Sequence, residues 1–230
     1  MRLAVMQPYF LPYIGYFQLM NLVDTYIFYD DVNYIKNGWI NRNRIIINKE
    51  VNYLTLSLEG ASSNKKINEV GIGKTDKLLK TIELSYKKHP YFLEVFPIIS
   101  GILNYESSNL SKFVINANKS LASFLDVKTK LVTASELLHN QHLNGQERII
   151  DICKTMEASS YINHIGGKTL YSNEVFKSNG IQLEFLKTLP FSYVQAGVSE
   201  FFPFLSTLDV LMNCGKEQTK QYLGNYEYEI

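Results

Sequence analysis

The chain has 230 residues, 46% of them hydrophobic, and a formal net charge of +1 at pH 7. That suffices for one or two domains with a sizeable core, and near-neutrality gives no global electrostatic case for nucleic acid or an anionic membrane. Cys153 and Cys214 show neither metal-ligand spacing nor a disulfide framework, and the opening MRLAVMQPYF is too short an apolar run for a signal peptide, so a cytoplasmic protein without a metal site or membrane insertion is expected.

RLAVM reads as a buried strand, IGYFQLMNLVD as a helix and TYIFYDDV as a second strand, the βαβ opening of an α/β fold. RIIIN and VNYLTLSL, separated by the polar NKE, read as a β-hairpin, and ASSNKKINEVGIG reads as a loop. TDKLLKTIELSYKKH has a helical apolar face from Leu78, Leu79, Ile82 and Tyr86, with Thr75 or Asp76 as N-cap and Pro90 as stop. A helix follows from Tyr91 to Asn104, then another whose stripe is Leu110, Phe113, Ala117, Leu121 and Phe124; KTKLVTASEL returns to strand. The last third alternates helix GQERIIDICKTMEA, strand SSYINH, glycine loop HIGGKTLYS, helix SNEVFKSNG closed by Gly180, and strand IQLEFLK. FLSTLDVLMNCGKEQTKQYL reads as two helices broken at Cys214-Gly215. The expectation is a single α/β domain with a mainly parallel sheet, a hairpin after the second strand and a helical insertion at about 74–125.

Ligands of such sheets collect at the carboxyl ends of the strands, where QPYFLPYIGYF and DDVNY both fall. Gln7, Tyr9, Tyr13, Gly15 and Tyr16 are candidates there, against the plainer reading that two prolines shape a loop and the rings fill the core. Asp30 and Asp31 read equally as turn residues or as groups that orient an amine or act as base. In DDVNYIKNGWINRNR, Asn33, Lys36, Asn37, Trp39, Asn41 and Arg42 suit a phosphorylated sugar better than a solvated hairpin does: cations for phosphate, a ring for stacking, amides for hydroxyls. His164 falls at a strand end, where it can act as acid or base, and Gly166, Gly167 and Lys168 form a short phosphate-cradle candidate. His139 and His142 read as a surface turn, Arg148 as a helix-surface residue and Cys153 as core.

QPYFLPYIGYFQLMNLVDTYIFYDDVNYIKNGWINRNRI resembles the opening of the WbqC-like family, and the resemblance continues through SYKKHPYF, GQERIIDICK, SSYINHIGGKTLY, FKSNGIQLEFLK and FFPFLSTLDVLMNCG. It implies a place in bacterial surface-polysaccharide (O-antigen) synthesis and a glycine-transfer role. A second resemblance is to nucleotidylyltransferases and pantothenate synthetases, which implies a Rossmann-like fold. Their His-x-Gly-His turn would here be Tyr13-Ile14-Gly15-Tyr16, which keeps the glycine for phosphate approach at a helix start but has lost both histidines. Lys168 and Ser172 are the nearest stand-in for their late lysine-serine loop. Together these imply transfer of an aminoacyl or acyl group, glycyl among them, from glycine or an activated donor to a nucleotide-linked amino sugar. ATP with magnesium would serve an adenylate route; Lys36 and Arg42 would hold phosphates, an aspartate would orient the amine, and Tyr16 and its neighbours would line the sugar pocket. The alternative is a non-catalytic nucleotide- or sugar-binding accessory of the same pathway.

Overall fold

The computed structural model describes residues 1–137 and 139–229. β1 (Arg2–Met6) leads through the proline loop into α1 (Ile14–Leu22), in which Asn21 alone is exposed. A helix apolar on all sides must lie inside the molecule, and α1 carries the chain directly to β2 (Thr25–Phe28), every residue of which is buried. The hairpin β3 (Arg42–Ile47) and β4 (Glu50–Thr55) turns at Asn48 and Lys49, both at positive φ (52° and 67°), as a two-residue hairpin turn matched to strand twist requires.

ASSNKKINEVGIG is more ordered than a loop reading allows. Its Gly71–Ile72 forms β6 against β5 (Leu58–Glu59), and Ile67–Glu69 makes a 3-10 turn. Ile67 and Val70 are fully buried, and those two side chains pull the polar segment onto the core. Helices α2 (Asp76–Tyr86), α3 (Phe92–Leu103) and α4 (Leu110–Phe124) follow. Thr75 occupies the α2 N-cap position, but its hydroxyl donates to the Leu103 carbonyl at 2.7 Å instead of capping. Asn109 caps α4 by accepting from the Lys112 amide.

β7 (Lys130–Thr133) and the short α5 (Ala134–Leu137) precede α6 (Gly145–Thr155), β8 (Ser160–His164), a 3-10 turn at Ile165–Leu170, α7 (Asn173–Ser178) and β9 (Gln182–Thr188). Gly180 closes α7 at φ 73°. α8 (Thr207–Tyr222) is interrupted at Gly215 (φ 71°), where a Cβ would lie 2.5 Å from the Tyr91 ring, so both backbone and packing require glycine. The end of the chain adds β10 (Tyr226–Glu229), antiparallel to β9. YEYE alternates tyrosine with glutamate, the period-two pattern of a half-exposed edge strand.

The main sheet has the order β10-β9-β8-β1-β2-β7 and is parallel except for β10. The chain therefore starts at the centre, steps outward through β2 to β7, and returns to the other side of β1. This is a Rossmann-like arrangement with its topological switch point between β1 and β8. One face packs against α1, the α2–α4 helices and α8; the other packs against α6 and α7 through Leu3, Val5, Ile149, Cys153, Tyr161 and Phe176. No described helix is long and apolar enough to cross a membrane.

A buried carboxyl ties α8 to its surroundings. Asp209 is fully buried and accepts from Tyr86 (2.9 Å), Tyr193 (2.7 Å) and Asn213 (3.3 Å). Burial pushes its pKa up, and the surrounding donors oppose that shift. Gln195 then closes the 195–202 loop by bonding the Phe202 carbonyl (2.9 Å) and amide (2.8 Å). Asp209→Ala is expected to cost on the order of 3 kcal/mol, since several buried donors lose their acceptor at once, with a smaller cost for Asp209→Asn; urea midpoints measure both.

Candidate functional site

The sheet opens at its switch point. The β1–β2 ladder runs to Met6↔Phe28 and the β8–β9 ladder to His164↔Leu186, but β1 and β8 pair only at Arg2↔Ser160 and Leu3↔Tyr161. Beyond Leu3 the two central strands diverge, and the side chains at their carboxyl ends occupy the crevice. His164 ends β8 and Tyr13 ends the loop after β1. The Tyr13 hydroxyl lies 2.7 Å from His164 Nε2 and 3.1 Å from Nδ1, a contact between residues 151 apart in sequence.

The pair is held from several sides. Asn163 accepts from the His164 amide (2.7 Å), and its own amide donates to the Tyr161 (3.2 Å) and Tyr171 (3.1 Å) hydroxyls. Gly15 faces the Tyr13 ring and Thr188: a Cβ there would lie 2.5 Å from Tyr13 Cε2, Tyr13 Oη and Thr188 Oγ1. Thr188 is fixed in turn by donating to Gln18 (2.7 Å). Burial pushes the His164 pKa below its ordinary value, against an opposing contact with the Gly15 backbone, so the ring is neutral near pH 7. Burial pushes the Tyr13 hydroxyl well up, keeping it protonated. Gly15→Ala is expected to push Tyr13 away from His164 and lower the melting temperature, at a cost of about 1–3 kcal/mol for the added methyl.

Tyr13 and His164 open into a cleft of about 410 Å³ walled by Tyr9, Pro12, Trp39, Ile165 and Phe204, with Asn43, Arg44, Lys187 and Thr188 as further polar members. That size and lining suit a small molecule. Trp39 is 40% exposed, an available stacking surface. The guanidinium of Arg44 donates to the Pro203 (3.3 Å) and Phe204 (2.9 Å) carbonyls, and its buried Nε has no partner among the described residues.

The other sequence candidates are distributed unevenly. Tyr9 is in this cleft; Gln7 is not among its lining, and its backbone carbonyl accepts from the Tyr16 hydroxyl at 3.0 Å. Tyr16 itself is 1% exposed and packed among Tyr9, Phe17 and Tyr26, a core position. Asn41 is buried between Tyr34 and the Leu56 carbonyl. Arg42 donates to the carbonyls of Asn37 and Gly38 and lies 4.2 Å from the Tyr53 ring centroid, so it braces its own loop. Lys36 and Asn37 are exposed, with Asn37 at φ 61° in that turn. Gly166 and Gly167 lie in the 3-10 turn after His164, with Gly167 against the Asn163 amide; Lys168 pairs with Glu229 at the surface (2.8 Å). The space directly beside Gly15 is filled by the Tyr13 and Thr188 side chains.

The aspartates face away from this cleft. Asp30 accepts from the Ser111 hydroxyl (3.0 Å) and from both the amide (3.0 Å) and hydroxyl (2.7 Å) of Ser135, and so anchors α4 and α5 to the end of β2. Asp31 pairs with Arg148 at 2.6 Å, both side chains almost wholly buried. This corrects the reading of Arg148 as a helix-surface residue: it is 3% exposed, its Nε donates to Asn140 Oδ1 (3.0 Å), and its guanidinium lies over the Tyr29 ring. Asn33 is on the same side. Among the described residues no three His, Cys, Asp or Glu side chains converge as metal ligands.

The model of the WbqC-like protein family matches residues 7–221, from the loop after β1 to the end of α8. The chain is also similar to the Uncharacterized protein Rv1507c of Mycobacterium tuberculosis (strain ATCC 25618 / H37Rv), 27% identical over 222 residues that cover 94% of this chain and 95% of that protein. No solved structure matches the chain. With all but the two ends of the chain inside the match, the protein belongs to the WbqC-like protein family.

Proposed function

We propose that the protein is a transferase of bacterial surface-polysaccharide synthesis, moving an acyl group, glycyl among the candidates, onto the amine of a nucleotide-linked amino sugar. One observation carries this reading: a half-buried Tyr13–His164 pair at the mouth of an aromatic cleft, where β1 and β8 part. The pathway is what the resemblance to the WbqC-like family implies, and membership of that family supports it.

In this reading the sugar ring stacks on Trp39 and Tyr9, and its amine is directed at Tyr13. As the amine attacks the acyl carbonyl, a nitrogen–carbon bond forms and the bond to the donor's leaving group breaks, the leaving group taking the electron pair. The amine's proton passes to the Tyr13 oxygen while the Tyr13 proton passes to neutral His164, which later returns it to the leaving group or to water. In this reading the donor arrives already activated. Positioning supplies much of the rate.

Purified protein incubated with nucleotide-linked amino sugars and activated glycyl or acetyl donors is expected to give an acceptor whose mass has grown by one acyl group. Binding of the sugar nucleotide without any product across the donor panel would replace the enzyme by an accessory binding protein.

A further inference from the structure

On the other side of β8 lies a second cleft of about 410 Å³, lined by Tyr29, Asp31, Asn33, Lys66, Asn144, Gln146, Arg148 and Tyr171 among others. We infer that it is a separate binding site for a phosphorylated sugar, with sugar hydroxyls on Asp31 and the phosphate at the start of α6.

Asp31 is the first ground. Its residue is 3% exposed, and Oδ2 receives Arg148 at 2.6 Å. Oδ1 is buried and has no partner among the described residues. An unpaired carboxyl oxygen at that depth is costly, and the partner it lacks is a donor: a hydroxyl of a bound ligand meets that need. Placement agrees, since an acidic residue at the carboxyl end of the second strand is where Rossmann-like sheets receive a sugar hydroxyl.

The start of α6 is the second. This helix of 11 residues begins at Gly145, and its N-cap Asn144 makes no side-chain capping bond. Its first amides and dipole favour an anion. The charged side chains of the lining are Asp31, Lys66 and Arg148, two cations against one carboxyl, so the cleft balances with one anionic group. Between the two ends the lining is rich in amides and tyrosines, the groups that bond hydroxyls. Asn163 joins this cleft to the first, through Tyr171 on one side and the His164 amide on the other. The inference concerns binding alone and does not depend on acyl transfer.

The test is calorimetric titration of the full chain with ribose 5-phosphate and glucosamine 1-phosphate, beside ribose, glucosamine and inorganic phosphate. A phosphosugar is expected to bind at least about tenfold tighter than either of its parts. Lys66→Gln, on the rim and outside the core, is expected to weaken the phosphosugars about tenfold while leaving the bare sugars unchanged. Asp31→Asn is expected to weaken phosphosugar and bare sugar alike; should it fail to fold, Lys66→Gln still decides. Tighter ribose 5-phosphate binding assigns the site to a nucleotide, and tighter glucosamine 1-phosphate binding assigns it to a sugar phosphate. The inference is overturned if no phosphosugar binds, if phosphate alone binds as well, or if Trp39→Ala weakens binding and Lys66→Gln does not.

Discussion

Replacing His164 by glutamine is expected to lower acyl-transfer turnover by about 10²–10⁴-fold, the range for loss of a positioned general base. Glutamine keeps much of the volume and a hydrogen-bonding end, so folding should survive. Tyr13→Phe removes the relay oxygen and keeps the ring, and its loss should be large but smaller, because His164 can still meet the amine through water. The pH profile separates chemistry from packing. The base works only when deprotonated, and burial holds the His164 pKa below its ordinary 6.5. Turnover should therefore be flat around neutrality and fall only as pH drops below about 6.5. In His164→Gln that acid limb should disappear along with most of the rate. Wild-type turnover in this variant would remove His164 from the chemistry.

The frame of the fold was legible because each central element carries its own pattern. RLAVM and TYIF are short apolar runs fully consumed by a parallel sheet, and IGYFQLMNL is apolar on all sides because α1 is enclosed. The alternation of YEYE was a strand signal passed over because the segment is short and terminal, and its antiparallel pairing with β9 was not legible at all. Nor was the division among the tyrosines. Tyr13 and Tyr16 are three residues apart in one motif, yet Tyr13 faces the crevice and Tyr16 the core. Sequence spacing places both near the start of one helix but says nothing of what packs against each side.

The candidate site was half legible for the same reason. His164 announced itself by ending a strand, but its partner lies 151 residues away and only the sheet order brings them together. The run DDVNYIKNGWINRNR read as one recognition surface, and the fold divides it: Trp39 and Arg44 face one cleft, Asp31 and Asn33 the other, and Asn41 and Arg42 hold the loop between. Local polarity reported that the segment makes many specific hydrogen bonds. It did not report that several of them go to the protein itself. Arg148 carried a signal that charge concealed, for it stands four residues before Ile152 and next to Ile149 on the buried face of α6. A cation at an apolar helical position calls for a buried counter-ion, and the paired aspartates ending β2 were there to supply it.

That ion pair gives the largest expected change in stability. Arg148→Met should cost about 3–5 kcal/mol, because methionine fills the space but leaves the Asp31 carboxyl buried without its cation. For a chain of this size each kcal/mol lowers the melting temperature by roughly 2–4 °C, so a fall of about 6–20 °C is expected. Removing the charge as well distinguishes the cause. In Asp31→Leu/Arg148→Met most of the loss should return, since two packed apolar side chains commonly match a buried pair in stability. Recovery should stop short of complete, because Asn140 loses the Arg148 contact and the Tyr29 ring loses its cation. If the double variant is as unstable as the single one, packing and not the stranded charge sets the cost. If stability returns while phosphosugar binding does not, the pair is retained for the ligand and not for the fold: an apolar pair holds α6 against β2 equally well but leaves no acceptor for a sugar hydroxyl.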